Sequence, residues 1–197
     1  MSSEEHQALS LVTPPAVEPV TLAELKAHIR LDSDLEDGVL LSIIGAAREY
    51  AEQFQNRVFI TQQWKLWLDR WPSSWIQIPL PPLQSVESVK YYGTDDTEHT
   101  LDVGEYQVDT VSYKGRVGLA YGKTWPATTL RPMNGIMVEF TAGYGDATSD
   151  VPVRIRQAIK VLAAHMYENR EATNIRELSE VPFAVHALLG FQRILPI

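Results

Sequence analysis

The stretch from Phe140 to Arg170, FTAGYGDATSDVPVRIRQAIKVLAAHMYENR, decides how the chain is read. Its first residues are the end of an apolar strand, GYGD is a glycine turn, and the rest has the pattern of a long helix. Asp150 stands where an N-cap would accept backbone N–H bonds, and Pro152 falls in the first turn, where a missing N–H costs nothing. Ile155, Ala158, Ile159, Leu162, Ala163, Met166 and Tyr167 recur at three- and four-residue steps and so share one helical face. A helix of this length spans roughly 30 Å at 1.5 Å per residue, the width of a small domain. It is the expected centre of the fold, with its apolar face covered by other helices.

Downstream, NREATNIRELSE is polar and reads as a loop. A last short helix is expected at about Phe183 to Leu189, capped by Gly190 and followed by a tail over 191–197. Upstream, TQQWKLWLD, WIQIPL, SVESVKYY, YQVD, RVGLAY and GIMVEFTAG are short alternating runs, the signature of strands. The breaks between them fall at Pro79, Pro81 and Pro82, at GTDDTEH, and at Lys114-Gly115. Residues 59–143 are therefore expected to form a β-rich insert of six or seven strands.

Before the insert, Thr21 and Glu24 make the S/T-x-x-E capping box that opens a first helix. A second helix, from about Leu35 to Gln55, carries Leu40, Ile43, Ile44, Ala47, Tyr50, Ala51 and Phe54 on one face, so the two form an αα-hairpin. Residues 1–20 hold Pro14, Pro15 and Pro19, show no periodicity, and are expected to be an extended arm that orders only against a neighbour. The fold class is α+β: a small helical bundle from residues 21–58 and 144–190, with the β-rich insert between its second and third helices.

Composition narrows the function. The 197 residues are 45% hydrophobic and 21% charged, as in ordinary folded proteins. With no cysteine, disulfides, thiolate metal sites and cysteine catalysis are excluded. The N-terminal stretch has no basic start and no apolar run of signal-peptide length, and no segment approaches a membrane span, so neither secretion nor a membrane partner is expected. The net charge is −8, unevenly spread: residues 1–60 carry 4 basic and 10 acidic side chains, 61–150 carry 7 and 11, and 151–197 carry 6 and 4. An acidic body lacks the basic footprint of a dedicated nucleic-acid binder.

No catalytic or metal constellation stands out. His6, His28, His99, His165 and His186 are scattered without ligand spacing. GYGDATSD lacks the Lys-Ser/Thr of a phosphate loop, and the pairs Asp95 and Asp96, or Asp146 and Asp150, do not match a twelve-residue calcium loop. There is no GxSxG elbow. No enzyme activity and no cofactor are expected. The aromatic residues say more: Trp64, Trp67, Trp71 and Trp75 are closely spaced, with Trp125 further on. Strand alternation sends Trp64, Leu66 and Leu68 to one face, the core, and Trp67 to the other. An exposed Trp serves either a protein interface or a carbohydrate platform. One functional reading is thus a β-type module on a helical stalk that binds glycan or a cell-surface polymer.

The ordered set of segments points elsewhere. PVTLAELKAHIRLD, LLSIIGAAREYAEQFQNR, QQWKLWLDRWP, IPLPPLQSVESVKYY, VEFTAGYGD, VPVRIRQAIKVLAAHMYENRE and PFAVHALLGFQR together resemble the head–tail connector (adaptor) proteins of long-tailed phages and of phage-derived particles such as gene transfer agents. The likeness runs from Pro19 to Arg193, and TAGYG followed by VP, IRQAI and YENRE is its most specific part. The resemblance implies a structural protein of the virion or phage-like particle, made in the host cytoplasm. It would form a twelve-fold ring of its own copies at the head–tail joint, between the portal protein and a tail-side connector or terminator protein, with genomic DNA passing through the lumen without sequence-specific binding. An acidic lumen would keep that DNA from adhering. On this reading the apolar, slightly basic C-terminal segment is expected to dock on the portal through Phe183, Leu188, Leu189, Phe191, Arg193, Ile194 and Leu195. Trp67, Tyr91 and Tyr92 are expected to meet a neighbouring subunit or a tail-side component.

Overall fold

In the computed structural model of the protein, residues 7–169, 182–190 and 193–194 are described. The architecture is α+β, with four helices and two antiparallel sheets among those residues. The decisive stretch supplies strand β8 (Ile136–Ala142), a turn at Gly143 with φ 136°, and helix α3 (Val153–Glu168). The helix start differs from expectation. Pro152 is the N-cap, not Asp150. The residue before a proline is pushed to extended backbone, and Val151 sits at φ −78°, ψ 129°, so no helical turn can form across it. Asp150 instead closes the preceding turn by accepting the Ala147 N–H at 2.9 Å. Its carboxylate lies over Gly145, where an added Cβ would come within 2.2 Å of Oδ2, which is why this position is glycine. The 16 residues of α3 span about 24 Å.

The chain divides into two compact units, one of Ala16–Ile60 with the residues from Tyr144 onward, the other of Thr61–Gly143 with the residues up to Pro15. The first unit holds the helices. Helix α1 (Leu22–Ile29) starts at the capping box: the Glu24 N–H donates to Thr21 Oγ1 at 3.2 Å and the Thr21 N–H to Glu24 Oε2 at 2.9 Å. Helix α2 (Asp37–Gln55) ends where Asn56 turns left-handed at φ 52°. Leu25 of α1, Leu40, Ile44, Ala47 and Ala51 of α2, and Ile155, Ala158, Ile159 and Leu162 of α3 pack together in one core, the face read from the sequence. Helix α4 (Phe183–Gly190) adds Val185 and Leu189 to it.

Arg48, on the buried side of α2, is 8% exposed and donates to Glu18 and Glu52 at 2.8 Å each. Glu52 in turn accepts the Phe59 N–H at 2.9 Å, tying the chain beyond α2 back to the helix. Burial pushes the Glu52 carboxyl above the usual carboxylate range, against the pull of the Phe59 N–H and of Arg48.

The second unit is β. Its larger sheet has the order β1 (Gln7–Thr13), β2 (Gln62–Leu68), β8, β4 (Leu83–Tyr92), β5 (Glu98–Thr100), and its smaller sheet the order β3 (Trp75–Gln77), β7 (Arg116–Leu119), β6 (Tyr106–Asp109). The register aligns Leu66, Val138 and Val89 across three strands, with Leu68, Ile136 and Phe140 on the same buried face. Two strands were not expected. The break at GTDDTEH contains β5, which folds back on β4 because Asp95 and Asp96 make the turn: Asp95 accepts from the Thr97 N–H and hydroxyl. The N-terminal stretch, expected to be an extended arm that orders only against a neighbour, is extended and lies on elements of its own chain. Gln7–Thr13 pairs with β2, Glu18 holds Arg48, and Val20 is 1% exposed.

Candidate interaction surfaces

Strand alternation sorts the expected aromatic contacts onto opposite faces of the larger sheet. Trp67 and Tyr92 come together. Their ring centroids are 6.2 Å apart, and the Trp67 indole N–H donates to Ser10 Oγ at 3.2 Å. The Tyr92 hydroxyl donates to Glu98 at 2.9 Å, and the Arg131 guanidinium lies 4.2 Å above its ring. Burial, and then the bond to Glu98, push the Tyr92 phenol up. Both rings are half-buried, so this is a patch of aromatic edges braced by charge.

Tyr91 points the other way. It meets Trp71 edge-on at 5.7 Å and stacks on His99 at 5.0 Å, and Trp71 stacks flat on Trp125 at 4.6 Å. Tyr91 therefore does not share a surface with Trp67 and Tyr92. Trp64 is half-buried, where the alternation had placed it in the core beside Leu66 and Leu68. The sequence reading also passed over Trp75, which is 48% exposed on the smaller sheet, with the Arg116 guanidinium 5.0 Å from its ring centroid. Its period-2 spacing around buried Ile76 was the available signal.

At the C-terminal end of the helical unit, the expected docking residues divide. Leu189 is fully buried, and its carbonyl accepts from the Gln55 side chain at 2.6 Å. Ile194 is 6% exposed, its N–H donating to the Gln55 carbonyl at 3.1 Å and its carbonyl accepting from Asn56 Nδ2 at 2.6 Å. Both side chains, expected to dock on the portal, are buried within the chain itself. Leu188 packs partly against the same core. Phe183 is 86% exposed, and Arg193 is exposed with its guanidinium 4.5 Å above the Phe54 ring. Phe191 and Leu195 lie outside the described residues, as does the expected polar loop from residue 170 to 181.

Among the described residues no group of three or more His, Asp or Glu side chains is placed to hold a metal ion, and no helix is long and apolar enough to cross a membrane. Comparison with known proteins gives these surfaces a setting. Residues 19–112 match the phage gp6-like head-tail connector protein family.

Solved structures resemble nearly the whole chain. A chain from the neck of an empty gene transfer agent particle, computed with C6 symmetry, is 26% identical with a TM-score of 0.81, covering 96% of this chain and 97% of that one. A chain from the virion of a native gene transfer agent particle is 26% identical at 0.78, covering 96% of each chain. A third, from the neck of a native particle computed with C12 symmetry, is 25% identical at 0.74, covering 96% of this chain and 97% of that one. No curated protein matches the sequence. The family match lies in the N-terminal part of the chain, and the likeness to the gene transfer agent chains covers nearly all of it.

Proposed function

We propose that the chain is a ring-forming subunit of the head–tail connector, seated between the portal and the tail of a tailed phage or phage-like particle. The observation that carries this is the near-complete, two-way coverage of a gene transfer agent neck chain, since both units are matched and not the helices alone. On this reading the helical unit is the small bundle of the connector and β2–β8 are an insert between α2 and α3. Copies of the chain form a twelve-fold ring, for which the C12 neck of the similar structure is the support. Genomic DNA passes through the lumen, and the net charge of −8 disfavours its sticking there. The role is structural, with no reaction assigned to it. The portal lies on one side and a tail-side connector or terminator protein on the other.

The burial of Leu189 and Ile194 narrows the portal contact to Phe183, the outer edge of Leu188, Arg193 and the neighbouring Phe191 and Leu195. Trp67 with Tyr92 is assigned to a neighbouring subunit or the tail side. Deleting the gene in the producing strain and imaging the particles tests the whole reading: DNA-filled heads separate from free tails are expected, and intact tailed particles would overturn it. Phe183→Asp tests the docking surface, because it changes an exposed side chain without touching the core. Folded protein that no longer joins the particle is the expected outcome.

A further inference from the structure

Strand β1 belongs to one unit and the helix after it to the other. Gln7–Thr13 lies along β2, and the chain then passes at Pro15 and Ala16 into the helical unit. All seven strand residues are exposed, Leu9 at 41% and Leu11 at 47%. The strand contains no charge and no proline, the devices that ordinarily blunt an edge. Its side-chain hydrogen bonds run to β2, from Thr13 Oγ1 to Gln63 Oε1 at 2.9 Å and from the Trp67 indole to Ser10. Pro14 and Pro15 follow at once, and consecutive prolines hold a linker extended and resist a sharp reversal. A strand held along one neighbour, joined to the rest by a stiff linker, is the arrangement that exchanges between identical chains.

We propose that in the assembled ring Gln7–Thr13 is exchanged, the β1 of each copy pairing with the β2 of the next. This rests on the ring reading above. The occupant is defined by the structure itself: the edge of β2 accepts this segment in a fixed register, Gln7 opposite Leu68 through Leu11 opposite Trp64, and every copy carries the same segment. The ladder is equal in the exchanged and unexchanged forms, so the balance turns on local concentration, which a ring raises, and on what else becomes covered. Exposed Leu9, Leu11 and Val12 are available for that. The donor arm and the acceptor edge are different surfaces, which is the head-to-tail contact that closes into rings.

The absence of native cysteine makes the test direct. Ser10 and Lys65 are register partners, as are Thr13 and Gln63, and opposed strand residues lie within disulfide reach. Particles are prepared with the full-length Ser10→Cys/Lys65→Cys chain, and in parallel with Thr13→Cys/Gln63→Cys should the first pair misfold. They are oxidised and run on a non-reducing denaturing gel. Exchange produces a ladder of multimers, because each chain is linked to two neighbours, and mixing chains that carry only one cysteine each gives cross-linked dimers. Oxidised monomer alone, or thiols that stay free, would overturn the exchange while leaving the connector reading intact. Absence of the protein from the particles, scored by immunoblot, would overturn both.

Discussion

The helical and the β unit are held together by different kinds of interaction. In the helical unit the elements themselves are fixed locally, by a capping box four residues long, an Arg48–Glu52 pair one turn apart and helical faces of regular spacing, and long-range bonds such as Gln55 to Leu189 then join them. In the β unit the turns are local but the pairings that set the larger sheet are distant in sequence. Thr13 reaches Gln63, β2 pairs with β8 across the intervening strands, and Asn134 donates its N–H to Asp69. Charge is handled differently too. The helical unit sets Arg48 against Glu52 with both side chains largely buried, whereas Asp95, Asp102 and Asp109 of the β unit sit at turns, where they accept N–H and hydroxyl bonds. A buried charge is costly to orphan, and a turn carboxylate is easily screened. The two units should therefore answer differently to the same insult.

All five tryptophans lie in Thr61–Gly143, so tryptophan fluorescence reads the β unit, while ellipticity at 222 nm is dominated by the helices. The largest effect is expected from Phe59→Ala, which empties a fully buried site in the helical core and should cost about 3–5 kcal/mol in denaturant melts followed at 222 nm. If the fluorescence transition moves by the same amount, the two units unfold as one; if it stays, they are thermodynamically separate. Arg48→Met should cost about 3 kcal/mol at neutral pH, because it removes the guanidinium that pairs with the largely buried Glu52 carboxylate at 2.8 Å. Because the folded pKa of Glu52 is already raised, its ionisation opposes folding above that value, and the opposition fades as pH falls toward 4.5. The Arg48→Met deficit should accordingly shrink on mild acidification. A deficit independent of pH would mean that Glu52 is not the group left exposed to the loss.

Thr21→Ala removes one half of the capping box and should cost about 1 kcal/mol at 222 nm. The smallest effect belongs to the β unit. Asp109 accepts from the Ser112 hydroxyl and N–H, with Arg116 beside it, and these hold its carboxyl far below the usual carboxylate range. A lowered folded pKa contributes stability that is present above 3.8 and lost as the pH falls below it. Tryptophan fluorescence should thus report a weakening of the β unit in acid, of opposite sign to the Glu52 response, and Asp109→Ala should flatten it. Equal acid profiles for the two proteins would remove Asp109 from the account.

The same contrast explains what could be read in advance. The capping box, the α3 face and most strands are written in neighbouring residues, and they are found where the sequence puts them. Pro152 as N-cap was legible in principle, since the restriction it places on Val151 is local. Sheet order was not, because β2 and β4 flank β8 only once the chain has turned through several loops, and nothing nearby says that Trp67 will meet Tyr92. Strand β1 escaped notice because the prolines after it and its lack of apolar periodicity look like a free arm until β2, some fifty residues on, is placed beside it. The C-terminal apolar residues are harder to sort from sequence. Apolarity alone does not separate a core contact from a docking contact: within FAVHALLG, Val185 and Leu189 are buried while Phe183 is 86% exposed.

The chain leaves the helical unit after Ile60 and returns at Tyr144, and those two points are joined directly: Ile60 bridges to Gly145, and the Tyr144 N–H donates to the Phe59 carbonyl at 2.9 Å. In evolutionary terms this makes Thr61–Gly143 a cassette with a single doorway. Whatever lies beyond it can grow, shrink or be replaced with little penalty to its host, since doubling the length of a closed loop costs only about 0.6 kcal/mol. A lineage that traded this cassette for another would keep its helices and lose one thing besides the strands, the edge on which Gln7–Thr13 rests.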